Sequence, residues 1–170
     1  MVSRIASCQP HEHPPLNKPP QSSESRLYTF SQDTKDQLRK FRLGTSRSKD
    51  PQARIYQIEK STLEIKPQNQ KTYTNLQDLQ DDLPENTPRY ILLSYPLTLS
   101  SGRLSVPYIM LNYLPPTCSS ELRMLYAGAK ELMKNTAEAG RIVEIDNAEE
   151  LMEEGIEEIL KGGGGGGGGD

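Results

Sequence analysis

Histidine is almost missing from this chain: there are two, His11 and His13, both close to the first residue. The body of the sequence therefore has no imidazole base to activate a serine or cysteine nucleophile. Cysteine is equally scarce, with only Cys8 and Cys118. One of these lies in a tail, so no disulfide framework is expected, and a protein of a reducing compartment is the simplest account. No apolar run approaches the roughly 18 residues needed to cross a bilayer. Residues 1–25 also lack the apolar stretch of a secretory signal. A net charge of −3 argues against a generic binder of polyanions and against nucleic acid as the main partner.

The residual chemical options are weak. Cys8, His11 and His13 match no structural zinc spacing, and a fourth ligand is missing. The glycine run from Gly162 to Gly169 is no phosphate loop, because no strand precedes it and no Gly-Lys-Ser/Thr follows. Cys118 follows Pro115-Pro116 and precedes a helix, a position that can lower a thiol pKa. Nothing nearby in the sequence would activate it further, so a packed thiol is expected. The carboxylates concentrate near the C-terminal end, where a solvated face is the default. No catalytic residue, cofactor or metal is expected, and the function sought is binding.

What the chain does contain is unevenly spread. Its apolar residues make up 34% and are dense only from Leu27 to Leu160. That span of roughly 135 residues can bury a sizeable core. Residues 1–25, rich in Pro, Ser and Gln, read as a disordered extension. Residues 26–160 read as one domain. Residues 161–170 read as a flexible glycine-rich tail.

Within the domain, strand and helix signals alternate. A short strand is expected at 27–30. Ser31 should cap a helix running to about Arg42, with Leu38 and Phe41 inward and Gly44 ending it. Residues 54–59 and 62–66 should form a hairpin turning at Glu59-Lys60-Ser61. Leu76, Leu79 and Leu83 mark a helix stopped by Pro84. The stretches 89–97 and 104–114 are nearly continuous in apolar residues, as in central strands buried on both faces. Leu99-Ser100-Ser101-Gly102 joins them, and Pro96 and Pro107 imply bulges or an irregular edge. Ser119 or Ser120 caps the longest helix, to about Glu138. A short strand at 141–145 and a helix from Asn147 to Leu160 complete the order. The fold class is α/β, a mixed sheet of five or six strands between helices.

The longest helix is the informative one. At about 100° per residue, Leu122, Leu125, Tyr126, Ala129, Leu132, Met133 and Thr136 share one face, which packs on the sheet. Arg123, Ala127, Lys130 and Lys134 gather opposite, with Met124 beside them. A basic stripe alone is usually just solvated. Here it surrounds an adaptable exposed methionine. Ala127 and Gly128 are small, which would let a partner's backbone approach closely. Such a strip suits an apolar groove with acidic rims. A second basic cluster, Lys35, Arg39, Lys40, Arg42, Arg47 and Lys49, lies on and after the first helix. Glu149, Glu150, Glu153, Glu154, Glu157 and Glu158 give the last helix the opposite sign, and such polarity steers a partner's approach.

The string Arg123-Met124-Leu125-Tyr126-Ala127-Gly128-Ala129-Lys130 resembles the long binding helix of the actin-depolymerising-factor homology fold. Within that cofilin superfamily the chain is more similar to the glia maturation factors, of fungal type. Leu38-Arg39-Lys40-Phe41-Arg42, Asp82-Leu83-Pro84-Glu85, Pro88-Arg89-Tyr90, Ser101-Gly102-Arg103-Leu104-Ser105 and Asn135-Thr136-Ala137-Glu138 support the likeness, in the right order across residues 26–160.

The resemblance implies a single such domain and no enzymatic activity. It implies binding to the actin-related protein 2/3 complex, inhibition of branch nucleation and promotion of filament debranching by a cytoplasmic monomer. Its site would be the actin patches or the cortical actin cytoskeleton, with a nuclear pool allowed. By this likeness Arg123, Met124, Ala127, Gly128, Lys130 and Lys134 enter a groove of an actin-related subunit. Ser25 and Arg26 would lie alongside. Arg39, Arg42 and Arg103 would form a second surface, with the first actin subunit of a daughter filament as a further partner. A cofilin-like severing factor is the alternative. The family's usual modifiable serine near the N-terminus has candidates in Ser22, Ser23 and Ser25.

Overall fold

The computed structural model describes residues 27–162. The extension, residues 163–170 of the glycine tail, Cys8, His11, His13, Ser22, Ser23, Ser25 and Arg26 lie outside the described residues; Lys161, expected in the tail, is instead the last residue of the final helix.

Four helices and seven strands follow one another as α1 (Gln32–Thr45), β1 (Gln52–Ile58), β2 (Ile65–Pro67), α2 (Leu76–Asp81), β3 (Arg89–Ser94), β4 (Leu97–Thr98), β5 (Leu104–Ser105), β6 (Tyr108–Tyr113), α3 (Ser120–Ala137), β7 (Ile142–Ile145) and α4 (Glu153–Lys161). The main sheet has the order β2-β1-β3-β6-β7. Its pairs are antiparallel except β6 with β7, which is parallel. The sheet is mixed, as its sequence pattern predicts.

The apolar runs of the central strands are explained by two cores. Successive strand side chains point to opposite faces. Ile55, Ile91, Leu93, Ile109 and Leu111 face one core, which α2 and α4 close with Leu76, Leu79 and Ile156. Tyr56, Ile58, Tyr90, Leu92 and Met110 face the other, closed by Leu38 and Phe41 of α1 and by Tyr126, Ala129 and Met133 of α3. Strands covered on both sides need apolar residues at odd and even positions alike.

Several boundaries differ from expectation. Residues 27–30 form no strand; Thr29 makes a single parallel bridge to Glu64. Gly44 lies inside α1, which ends at Thr45. A glycine there needs no positive φ, so it is no terminator. The second hairpin strand begins later, at Ile65, because Leu63 takes a left-handed conformation within the loop. The two long stretches are each divided at their proline. Pro96 separates β3 from β4, and Pro107 separates β5 from β6. Proline has no N–H to give a ladder. The small β4–β5 hairpin turns at Gly102, whose φ of 81° glycine tolerates without strain. The final helix is split too. Asn147 caps only a 3₁₀ turn, Ala148–Glu150, and α4 starts afresh at Glu153.

Candidate functional site

The outer face of α3 depends on how firmly its inner face is held. Ser119 caps the helix, its hydroxyl accepting the Leu122 N–H at 3.3 Å. Such a cap contributes about 1 kcal/mol. Tyr126 is the anchor. Its ring is fully buried and lies 5.1 Å from that of Tyr90. Its hydroxyl oxygen accepts the Ile58 N–H at 3.0 Å, and its backbone carbonyl accepts the Tyr90 hydroxyl. Burial pushes the Tyr90 phenol far above its ordinary range, so it stays a donor. The helix ends at Glu138, which is left-handed at φ 56°. Its carboxylate pairs with Arg42 of α1. The register of α3 on the sheet is thereby fixed, and with it the set of residues that look outward.

Those residues sort into three kinds. Arg123, Met124 and Ala127 are exposed, Met124 at 75% the most exposed of the large apolar side chains described. Lys130 and Lys134 are half-buried at the flank. Lys130 reaches over the sheet edge to Glu144 of β7, Nζ to Oε1 2.7 Å. That ammonium and its hydrogen bond hold the Glu144 carboxyl below its usual range. Lys130 therefore reaches a partner already paired. Gly128 plays a different part from the one its size implies. A Cβ there would lie 2.7 Å from the Tyr28 hydroxyl oxygen. The space is filled by Tyr28 of the same chain rather than left for a partner's backbone.

Tyr28 also donates its hydroxyl to the Leu125 carbonyl at 2.8 Å. Thr29 bonds the β1–β2 loop in both directions, its N–H to Leu63 C=O at 3.1 Å and its C=O from Ile65 N–H at 2.8 Å. The segment before α1 is thus pinned beside α3. Between this segment, the helix and the loop runs an open trough of about 540 Å³, lined by Leu27, Tyr28, Lys60, Leu63, Met124 and Ala127 among others. The loop wall was not legible in the sequence, since residues 60 and 63 lie about sixty positions from the helix. Leu63 gave no local signal either, because the sequence pattern placed it within the expected strand 62–66.

The second basic group is less coherent. Lys35, Arg39 and Arg42 of α1 line a cleft against Thr136, Ala137 and Glu138 at the end of α3. Arg42 is neutralised there by Glu138. Arg103 is exposed on the β4–β5 turn, a separate element from α1. Cys118 is buried, as a packed thiol should be. Among the described residues no group of His, Cys, Asp and Glu could hold a metal, and no helix is long and apolar enough to cross a membrane.

Known proteins share this fold. Residues 27–161 match the family described as cofilin/tropomyosin-type actin-binding protein. Human glia maturation factor beta is 34% identical over 130 residues, covering 76% of this chain and 90% of that protein. Protein AIM7 of Saccharomyces cerevisiae is 30% identical over 130 residues, covering 72% and 87%. The solution structure of glia maturation factor from Caenorhabditis elegans superposes with a TM-score of 0.65 at 28% identity, covering 80% of this chain and 94% of that one. A Streptomyces griseoflavus cofilin, at 17% identity and a TM-score of 0.63, shares the fold. An anchored helix offering a short exposed strip, on a five-stranded mixed sheet with this matched sequence, places the chain in the cofilin/actin-depolymerising-factor family, among the glia maturation factors.

Proposed function

We propose that the protein binds the actin-related protein 2/3 complex through the outer face of α3, inhibits branch nucleation and promotes debranching of actin filaments. The observation that carries this reading is Met124, solvent-exposed on a rigid helix between Arg123 and Ala127. Burying one methionine-sized side chain contributes roughly 1.5–3 kcal/mol. A rim ion pair contributes about 0–1 kcal/mol. Met124 thus supplies affinity, while Arg123 and the flanking lysines supply orientation and on-rate.

The mechanism is occupation and wedging. The helix fills the groove of an actin-like subunit that a neighbouring subunit or an activator needs. Arg39 and the exposed part of the α1 surface then face the first actin of the daughter filament. Debranching follows from tighter binding to the open arrangement of the complex, because a ligand shifts an equilibrium only by differential affinity. No covalent step is involved.

A cofilin-like severing activity would need a contact along filament sides. The elements available for it are the β4–β5 turn, with Arg103, and α4, whose outward residues Glu153, Glu154 and Glu158 are acidic and exposed. Facing acidic actin, that surface repels. The deciding experiment is capture of purified branch-nucleating complex against capture of actin alone, followed by a branch-lifetime assay. Retention of the complex and shortened branch lifetime support the reading. Strong pelleting with filaments and no retention of the complex would replace it with severing.

A further inference from the structure

The loop wall of the trough contains a strained residue. Leu63 has φ 57°. Left-handed backbone is costly for an L-residue with a side chain, and glycine or asparagine is the usual occupant. The hairpin imposes it. Leu63 N–H donates to Glu59 C=O at 2.7 Å, Glu59 N–H donates to Glu64 C=O at 2.8 Å, and Leu63 C=O accepts from Thr29 at 3.1 Å. All three are backbone bonds, which glycine would make equally well without strain.

The leucine side chain is not repaid in the core. Among the partly buried apolar residues packed on the α1–α3 core are Tyr28, Phe30, Leu122 and Leu125, but not Leu63. It is half-buried, against the trough. The same trough is lined by two exposed apolar residues, Leu27 at 61% and Met124 at 75%. Three segments far apart in sequence line a single depression with apolar residues: Leu27 and Tyr28, Leu63, and Met124 and Leu125. A residue held in an unfavourable conformation, with a half-buried side chain that belongs to neither core, points to a role in recognition. The depression is within the size range of natural binding pockets, roughly 300–1,000 Å³. Lys60 stands at its rim, 3.2 Å from Glu121, with both side chains more than half exposed.

We propose that the trough between α3 and the β1–β2 loop receives one apolar side chain of the actin-like partner subunit, of leucine or phenylalanine size and adjacent to an acidic residue, and that Leu63 is a specificity-determining residue of this contact. The proposal rests on the reading of α3 as the docking helix, with which the trough shares Met124 and Ala127. The strip on α3 then seats in the partner's groove while the partner seats a side chain in return. Lys60 exchanges Glu121 for the partner's carboxylate, which fixes the direction of approach. This makes the interface reciprocal rather than a single helix in a groove.

The test uses the full chain carrying Leu63→Gly or Leu63→Asn, with Arg123→Ala/Lys130→Ala as reference, titrated against the purified actin-related protein 2/3 complex. Both Leu63 variants should melt at or above the parent temperature. They should bind about tenfold more weakly, the loss expected when one leucine contact is removed. Parent-like affinity in both, while the reference variant is weakened, overturns the trough and leaves the helix reading standing. Parent-like affinity in the reference variant sinks the helix reading itself. A lower melting temperature in both Leu63 variants shows a leucine that serves the fold, and also overturns the proposal. So does a concentration-dependent dimer that Leu63→Gly abolishes, because the trough would then belong to a second copy.

Discussion

Helices α3 and α4 lie on opposite faces of one sheet and bury their inner sides by the same means. α3 sinks Tyr126, Ala129 and Met133, and α4 sinks Ile156. Their outer sides are opposite in character. α3 shows Arg123, Met124 and Ala127, and α4 shows Glu153, Glu154 and Glu158. The ties around them differ as well. α3 begins at a side-chain cap, whereas α4 begins at Met152 with none. α4 is held by its Glu157–Lys161 pair and by Arg141, which donates to the Ile159 carbonyl at 2.7 Å. Burial dictates an inner face and says nothing about an outer one. The chemistry of an outer face therefore carries information about partners, and of these two helices α3 presents an exposed methionine beside cations where α4 presents carboxylates.

The comparison is broken most severely from the inside. Tyr126→Ala removes a buried ring and its bond to Ile58, and should cost about 3–5 kcal/mol. Denaturant melts will show it, and both the strip and the sheet face should be lost together. A loss below 1 kcal/mol would mean that the outer strip does not depend on this anchor.

Next in size is Met124→Asp. It should leave the melting temperature unchanged and lower affinity for the complex at least about tenfold, as the burial of one methionine implies. Glu154→Ala on α4, the matched change on the other helix, should leave binding intact. Equal effects at both positions would erase the distinction between the two faces.

Gly128→Ala sets two effects against each other. Alanine gains about 1 kcal/mol of helix propensity over glycine. The new Cβ would meet the Tyr28 hydroxyl at 2.7 Å, and such overpacking costs typically 1–3 kcal/mol. A net loss of about 1 kcal/mol is expected in thermal melts, with partial rescue when Tyr28→Phe removes the hydroxyl. A stabilised Gly128→Ala protein would show that Tyr28 is not seated on the helix.

The smallest effect is electrostatic. Glu144→Gln frees Lys130 from its partner and should change binding by no more than about fivefold, the reach of a surface ion pair. Its pH signature is more informative. Glu144, Asp82 and Glu157 all have carboxyls held low by hydrogen bonds to Lys130, Tyr73 and Lys161 respectively. A carboxylate with a depressed folded pKa stabilises above its unfolded pKa, near 4.3 for glutamate and 3.9 for aspartate, and the contribution is lost as pH falls through the folded value. Glu150 goes the other way, raised by burial and by Asp146. The melting temperature should therefore fall on acidification below about pH 4.5, and less steeply in the Glu144→Gln protein.

Local patterns were readable wherever one element settles its own fate. Ser31 and Ser119 marked helix starts, and each caps the helix it precedes. The continuous apolar runs around Ile91 and Leu111 announced strands buried on two faces. What the sequence did not show were the contacts a residue makes with a distant neighbour. Gly128 is small for Tyr28, Lys130 is spoken for by Glu144, and Arg42 by Glu138; in each case the partners are 14 to about 100 positions apart in sequence.

Periodicity, capping residues and the family string around Tyr126 were enough to specify the α/β class, the main helices and central strands, and which side of α3 faces water. These follow from short-range geometry, since a helix repeats every few residues and a strand every two. The tertiary structure alone decided that the exposed strip has a second wall, that Lys130 at its flank arrives already paired, and that a strained leucine sits at its edge. Such features arise when segments remote in sequence are brought together by burial, and no local pattern records which partners will meet.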